Sequence, residues 1–210
     1  MLSWMQISKI GSSNVMLPAA VAIAIWLTAG AARRLFLSWC LLFAGGLMLV
    51  AASKIAFVGW GIGIEAIDFT GFSGHAMRSA AILPTFFYLI FRQQVFALRW
   101  SAAMSGAGLA ALISLSRVQL HFHSVSEALS GFLLGLAVGL CFIWHAENSP
   151  KPSLNRSLVV ASFVALLVAS FAKPVPTQKL IEGTALWLSG HPAAIAEHRL
   201  QSDTSVLQIN

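Results

Sequence analysis

The sequence predicts an all-α polytopic membrane protein, a bundle of six transmembrane helices. Three observations carry that expectation. Of 210 residues, 58% are apolar and 10% are charged, against about 25% charged in an ordinary soluble domain. The mean hydropathy is +0.80. Three windows, Leu35–Ser53, Trp100–Ser116 and Ala128–Trp144, contain no charged side chain. An apolar run of about 18 residues can cross the hydrocarbon of a bilayer.

The elements follow in order. Trp4, Met5, Ile7 and Ile10 with Lys9 suggest a short interfacial helix, broken at Gly11-Ser12-Ser13-Asn14. The first span covers about 15–32. Ala29-Gly30-Ala31 resembles a signal-peptide cleavage site, but Arg33-Arg34 follows at once, so this helix is expected to be retained. A tight turn at Arg33-Arg34 leads into the second span, about 35–57, with Lys54 in its last turn. Residues 59–74 carry five glycines with Glu65 and Asp68 and read as a surface loop. The third span, about 75–91, has Arg78 in its first turn and a kink expected at Pro84. A polar turn, Arg92 to Arg99, precedes the fourth span, about 99–116, where Gly106, Gly108 and many alanines favour close helix packing. After a short loop at 117–123, the fifth span covers about 124–144. A turn holding Pro150, Lys151 and Pro152 precedes the sixth span, about 155–172, which Pro174 and Pro176 terminate. The helical domain thus covers 1–176, and 177–210 form a polar C-terminal tail.

The formal charge of +6 is not a nucleic-acid signal, because the basic residues are scattered with no basic stripe. Cys40 and Cys141 lie inside apolar runs and read as small buried hydrophobes. Trp26, Trp39 and Trp144 near helix ends suggest an interfacial aromatic belt. The partner implied by this composition is the lipid bilayer. No feature bears on oligomeric state.

Counting spans puts the 59–74 loop and the 117–123 loop on one membrane face. Lys54, Ser73, His75, Arg117, His123 and Glu127 therefore converge there. These groups suit phosphate chemistry. Transfer of a phosphoryl group needs charge stabilisation on its oxygens, a nucleophile, and an acid for the leaving oxygen. Lys54 and Arg117 supply positive charge, and a guanidinium can bind two oxygens at once. Ser73 and Gly74 open a helix, where free backbone N–H groups favour an anion. A histidine can attack phosphorus if a partner fixes its tautomer. Glu127 lies four residues past His123, on the same face of a helix beginning there. The other histidine, His75, can protonate the leaving oxygen. Bland readings stand beside these. Ser124-Val125-Ser126-Glu127 is also a capping box, and Lys54 and Arg117 at helix ends could simply snorkel. His121 reads as structural, and Glu65 and Asp68 as a solvated loop.

Three motifs carry a resemblance. Ser116-Arg117, five residues, His123, three residues, Glu127 resembles the third motif of the type 2 phosphatidic acid phosphatase (PAP2) superfamily, Ser-Arg-x5-His-x3-Asp, with Glu in place of Asp. Phe72-Ser73-Gly74-His75 resembles the second motif, Pro-Ser-Gly-His, with Phe72 in place of proline. Lys54 matches the start of the first, Lys-x6-Arg-Pro, but Gly61-Ile62 stand where Arg-Pro is expected. The motifs cover roughly residues 50–130.

The resemblance implies an integral-membrane lipid phosphatase with no cofactor and no metal. His123 would be the nucleophile, His75 the general acid and Glu127 the group that orients His123. Lys54, Ser73, Gly74 and Arg117 would bind phosphate. Ser116 is a further candidate, and Arg78, one helical turn from His75, is a candidate to replace the missing arginine. The substrate would be a lipid phosphate or pyrophosphate: undecaprenyl pyrophosphate, phosphatidic acid or phosphatidylglycerophosphate. A catalytically degenerate lipid-binding protein and a lipid-to-lipid phosphotransferase are the alternatives. With site residues set aside, the face opposite the motifs carries Arg33, Arg34, Arg92, Arg99, Lys151 and Arg156, against Lys9, Arg78, Lys173 and Lys179 on the motif side. Positive loops stay cytoplasmic, so the expected location is a bacterial inner membrane with the site facing the periplasm.

Overall fold

The computed structural model describes residues 3–150, 155–171 and 177–189. Its helices are α1 (Trp4–Ile10), α2 (Ser13–Ala29), α3 (Arg33–Trp60), α4 (Gly74–Ile90), α5 (Phe96–Gln119), α6 (Val125–Glu147), α7 (Arg156–Ser170) and α8 (Thr177–Ser189), with a single 3-10 turn at Glu65–Ile67. Among the described residues there is no strand, only an isolated bridge between Ile64 and Phe69. The protein is all-α, as expected. Lys151, Pro152, Lys173, Pro174, Pro176 and residues 190–210, which figure in the expectations above, lie outside the described residues.

Among the described residues, four segments are long and apolar enough to cross a membrane: Trp4–Ala29, which joins α1 and α2, then α3, α5 and α6. The sixfold count is not reproduced. α4 and α7 have 17 and 15 residues, which at 1.5 Å per residue reach about 26 and 23 Å, short of the ~30 Å hydrocarbon layer. α4 runs through the middle of the bundle, from the Ser73–Glu127 contact at the motif end to the opposite end, where Arg92 meets the C-terminus of α6. Every residue of α4 except His75, Phe87 and Ile90 is buried. Pro84 lies inside α4 and Pro18 inside α2, and neither ends its helix. α3 runs six residues past Lys54, because Ile55–Trp60 continues the apolar pattern until Gly61, at φ +67°, stops it in the left-handed conformation.

Small residues let α4 sit this deeply. A Cβ added at Gly106 of α5 would lie 2.6 Å from the Leu83 carbonyl oxygen. Along α6, Gly131, Gly135 and Gly139 form a stripe against the α4 side: added carbons would meet the carbonyl oxygens of Ser73 (2.6 Å), Met77 and Ala81 (3.0 Å). Gly108, also expected to pack, has nothing within 4 Å. In lipid, where apolar burial between helices gains little, such backbone contact is a principal source of association.

Two aromatic assignments change. Trp26 and Trp39 are 2% and 1% exposed, so they belong to the core and not to an interfacial belt. Their indole N–H groups donate to Ser162 Oγ at 3.1 Å and to the Ala20 carbonyl at 3.0 Å, and their rings pack on Phe86 and Phe142. Trp144, 71% exposed, remains on the outer surface. Cys40 is half-buried and Cys141 exposed, so neither is the fully buried hydrophobe expected. Away from the motif end, Arg99 grips Glu147 through two bonds of 2.8 and 3.0 Å. Buried Arg92 donates to the carbonyls of Ala146 and Ser149, closing the C-terminus of α6. Both arginines counted as orienting charges are thus tied into the fold. α8 meets α3 where Gly59 approaches Ser189.

A Gly135→Val substitution places side-chain atoms on the α4 backbone and should destabilise the fold by about 1–3 kcal/mol. The expected result is a clearly lowered thermal midpoint in detergent. Gly108→Val, facing open space, should leave that midpoint near the native value.

Candidate active site

The site assembles where the 61–73 loop, the start of α4, the end of α5 and the start of α6 meet. Backbone bonds between Ile64 and Phe69, 2.9 and 3.1 Å, close the outer part of the loop, with Asp68 in the left-handed conformation at φ +50°. Glu65 and Asp68 are exposed, in keeping with a solvated loop. The inner part lies along α3: a Cβ at Gly71, which has φ +146°, would sit 3.0 Å from Lys54 Cγ. The Phe72 N–H donates to Ser53 Oγ at 3.1 Å. A proline here could not make that bond, which gives a physical reason for the departure from the second motif. The Ser73 N–H then donates to the Glu127 carbonyl at 3.1 Å, joining the first residues of α4 and α6.

Ser73 is the N-cap of α4, yet its side chain caps nothing. Its Oγ is buried with no partner. Gly74 leaves room for Arg78 to fold back over this helix start: a Cβ at Gly74 would lie 3.2 Å from Arg78 Nη1. Arg78 is itself buried, and its Nε has no partner. His75 lies within Coulombic reach of Arg117, Arg78, His123 and Lys54, and Lys54 within reach of Glu127, Arg78 and Arg117. The expected set therefore comes together, and Arg78 joins it.

α5 extends to Gln119, three residues further than expected, so the connection to α6 is only Leu120–Ser124. His121 at φ +55° makes the reversal. It serves the turn structurally and also lines the cleft beside His123. Arg117 Nη1 donates to Ser8 Oγ at 2.9 Å, and its guanidinium carbon stands 4.4 Å from the centre of the Phe122 ring. Its Nε is buried without a partner. Ser116 is buried and turns its hydroxyl onto the Ile113 carbonyl, 2.6 Å away. It therefore supports the end of α5 and does not point a free hydroxyl at the cluster.

His123 and Glu127 meet at 2.6 Å, Nδ1 to Oε2. An ionised carboxylate only accepts, so Nδ1 carries the hydrogen, and in the neutral imidazole the lone pair is then on Nε2. The capping reading of Glu127 holds: Ser124 and Glu127 form a capping box, with Ser124 Oγ accepting from the Glu127 N–H at 3.3 Å, and the same carboxylate contacts His123. Its other oxygen, Oε1, accepts from Thr70, from the N–H at 2.9 Å and from the hydroxyl. A cleft of about 630 Å³ opens beside the His123–Glu127 pair, walled by Ile67, Val118, Phe122 and Val125 with Asp68 and Thr70, whereas Lys54, Ser73, Gly74, His75, Arg78 and Arg117 do not line it. Among the described residues, no three His, Cys, Asp or Glu side chains cluster as metal ligands.

Thr70, Ser8 and Ser53 are site-supporting residues that the sequence did not reveal. Thr70 is 57 positions from Glu127 and Ser8 is 109 from Arg117, and no short-range spacing connects them. Gly61, where an arginine was expected, proves to be the helix stop of α3. An arginine there would occupy a left-handed conformation costing roughly 1–2 kcal/mol, so the first motif is not open to simple repair at that position.

Helices long and apolar enough for a bilayer, ending in a histidine–carboxylate pair with three cationic side chains nearby, make this a membrane protein with a cationic site at one end of its bundle. The comparisons agree. Residues 65–150 match the model of the PAP2 superfamily. A Klebsiella pneumoniae protein described as "Uncharacterized 22.5 kDa protein in cps region" is 39% identical over 185 residues, spanning 86% of this chain and 88% of its own length. No solved structure matches. The chain belongs to the PAP2 superfamily, which at family level makes it a phosphatase of the phosphoric ester hydrolase type in a membrane.

Arg78→Ala should lower phosphate release on the order of a hundredfold, the scale of losing one charge-stabilising donor. Arg78→Lys should recover only part of it, because an ammonium lacks the planar fork. Both are read from initial rates of the purified protein.

Proposed function

We propose that this protein hydrolyses a lipid phosphate or pyrophosphate through a phosphohistidine, with no metal required. The observation that carries the reading is the 2.6 Å contact between His123 Nδ1 and Glu127 Oε2, which leaves Nε2 as the nucleophile. Burial and the neighbouring Arg117, Arg78 and Lys54 charges disfavour a proton on His75, and the negative charge of the bound phosphate offsets them so that His75 takes one up. In the first step Nε2 then bonds to phosphorus, the bond from phosphorus to the leaving oxygen breaks, and His75 gives that oxygen its proton. In the second, water attacks the phosphohistidine, His75 takes the water's proton, and inorganic phosphate departs with His123 restored. Glu127 stabilises the imidazolium that forms. Lys54, Arg78, Arg117, the Ser73 hydroxyl and the N–H groups at Gly74 hold the phosphoryl oxygens. These cations and donors supply the charge neutralisation that a metal would otherwise provide.

The substrate would be an amphiphile whose tail stays in the bilayer while its phosphate reaches the cleft. Undecaprenyl pyrophosphate, phosphatidic acid and phosphatidylglycerophosphate all have that form. The same proposal takes 1–176 as the catalytic helical unit and 177–210 as a C-terminal extension, whose first part, Thr177–Ser189, forms α8 and meets α3. One observation favours a second reading, a binder without turnover. The first-motif arginine is absent, and its position is taken by a helix-stopping glycine.

The test is phosphate release by the purified protein in detergent with EDTA present, offering the three lipids in parallel. Release is expected from at least one, with His123→Ala reducing it on the order of a thousandfold or more. Full activity in His123→Ala would sink the phosphohistidine. Lipid binding without release would favour the binder, and phosphate appearing on an added lipid alcohol would favour transfer.

We also propose that the site faces the periplasm of a bacterial inner membrane. With Cys40 and Cys141 replaced by serine, Glu65→Cys on the exposed loop should react with a membrane-impermeant maleimide in spheroplasts. Reaction only after lysis would reverse the orientation.

A further inference from the structure

Hydrogen bonds around Glu127 give a task to a residue outside all three motifs. Glu127 is buried, and its two carboxylate oxygens are divided between two sets of donors. Oε2 faces His123 Nδ1 at 2.6 Å and accepts a long bond, 3.4 Å, from the Ser124 N–H. Among the described residues, Oε1 is held by Thr70, through the amide N–H at 2.9 Å and the hydroxyl. We propose that Thr70 is a positioning residue for the reaction, acting through Glu127 to aim its Oε2 at His123 Nδ1. This rests on the histidine chemistry proposed above.

The physical case has two parts. A glutamate side chain has three rotors, and the capping contact through Oε2 is too long to fix the last of them. If Oε1 lost its hydroxyl donor, the carboxylate could turn about its terminal bond, and the 2.6 Å geometry at His123 would be one orientation among several. A histidine that loses its orienting partner samples the wrong tautomer, with Nδ1 and not Nε2 unprotonated. The second part concerns what else Thr70 could be for. Anchoring the loop does not require it. Phe72 N–H to Ser53 Oγ at 3.1 Å, Ser73 N–H to the Glu127 carbonyl at 3.1 Å, and Ser126 Oγ to the Asp68 carbonyl at 3.3 Å already tie the loop to α3 and α6. None of those bonds touches the carboxylate. The two Thr70 donors are the loop's contribution to the orientation of Glu127.

The experiment uses full-length protein in detergent and phosphate release from undecaprenyl pyrophosphate, phosphatidic acid and phosphatidylglycerophosphate. Thr70→Val keeps the shape and the backbone N–H but removes the hydroxyl. It should lower kcat about ten- to a hundredfold, the scale for losing an outer-shell orienting group, with KM within about twofold of native. Thr70→Ser, which restores the hydroxyl, should recover most of kcat. In a Glu127→Ala background Thr70→Val should cause no further loss, because the group it acts through is gone. A purely structural role predicts instead the same proportional loss in both backgrounds, and that result overturns the proposal, as does native kcat in Thr70→Val. Thermal midpoints are recorded for each variant. Should Thr70→Val not fold, Thr70→Ala replaces it with the same expected outcomes. Full activity of His123→Ala would overturn the histidine chemistry itself. An inactive His123→Ala beside native kcat in Thr70→Val would overturn only the role of Thr70. No release by the native protein from any of the three lipids would overturn both.

Discussion

Glu127 is the point to which the rest of the site is referred. Its carboxylate meets the 61–73 loop through Thr70 and meets His123 and the Ser124 amide at the start of α6. Its backbone carbonyl receives the amide of Ser73, where α4 begins. A buried carboxylate is costly unless it is paired and well supplied with donors. Here the donors come from two segments, Thr70 of the 61–73 loop and His123 with Ser124 before α6, so satisfying the charge and bringing those segments together are one event. Capping and histidine orientation use the same group for the same reason: the N-terminus of a helix offers donors and favours negative charge.

Around that carboxylate the balance is positive. Lys54, Arg78 and Arg117 lie within reach of one another's fields, and one carboxylate cannot compensate three cations. Some relief comes from Ser8 on Arg117 and from the Phe122 ring beneath its guanidinium. Ser73 Oγ, Arg78 Nε and Arg117 Nε nevertheless remain buried without partners, where most buried polar atoms in folded proteins are satisfied. Surplus positive charge and unused donors at a helix N-terminus are the electrostatic complement of an anion with several oxygens. Local stability is given up where a phosphate would restore it, and such departures from local rules cluster at functional sites.

The scaffold can tolerate that surplus because α4 is locked elsewhere. Its length would leave it short in a bilayer, but α5 and α6 enclose it at backbone distance through Gly106, Gly131, Gly135 and Gly139. In lipid these contacts replace the hydrophobic drive that would hold such a helix in water. The same glycine stripe brings Gly131 against the Ser73 backbone, so the packing that stabilises the bundle also fixes the height of the turn at Ser73 relative to His123. At the other end Arg92 and Arg99 grip the C-terminal turn of α6, holding both ends of that helix in register with its neighbours.

The sequence by itself determined whatever repeats over one helical turn or one long apolar run. The all-α class, the long spans, the short N-terminal helix, the Ser124–Glu127 capping box and the pairing of Glu127 with His123 are of this kind, because i+3 and i+4 spacing dictates them wherever a helix forms. The meeting of the two loops was legible from counting spans, although two of the helices counted are shorter than a span. Tertiary structure decided the rest. Nothing local distinguishes Trp26 and Trp39, which are buried, from Trp144, which is not. No spacing rule marks Gly131, Gly135 and Gly139 as the stripe that faces α4, nor Gly61 as a helix stop in place of a phosphate ligand. Thr70 and Ser8 meet charged partners 57 and 109 positions away. Those contacts exist only because particular helix faces pack together, and a side chain's periodicity states which residues share a face, not which neighbour that face will meet.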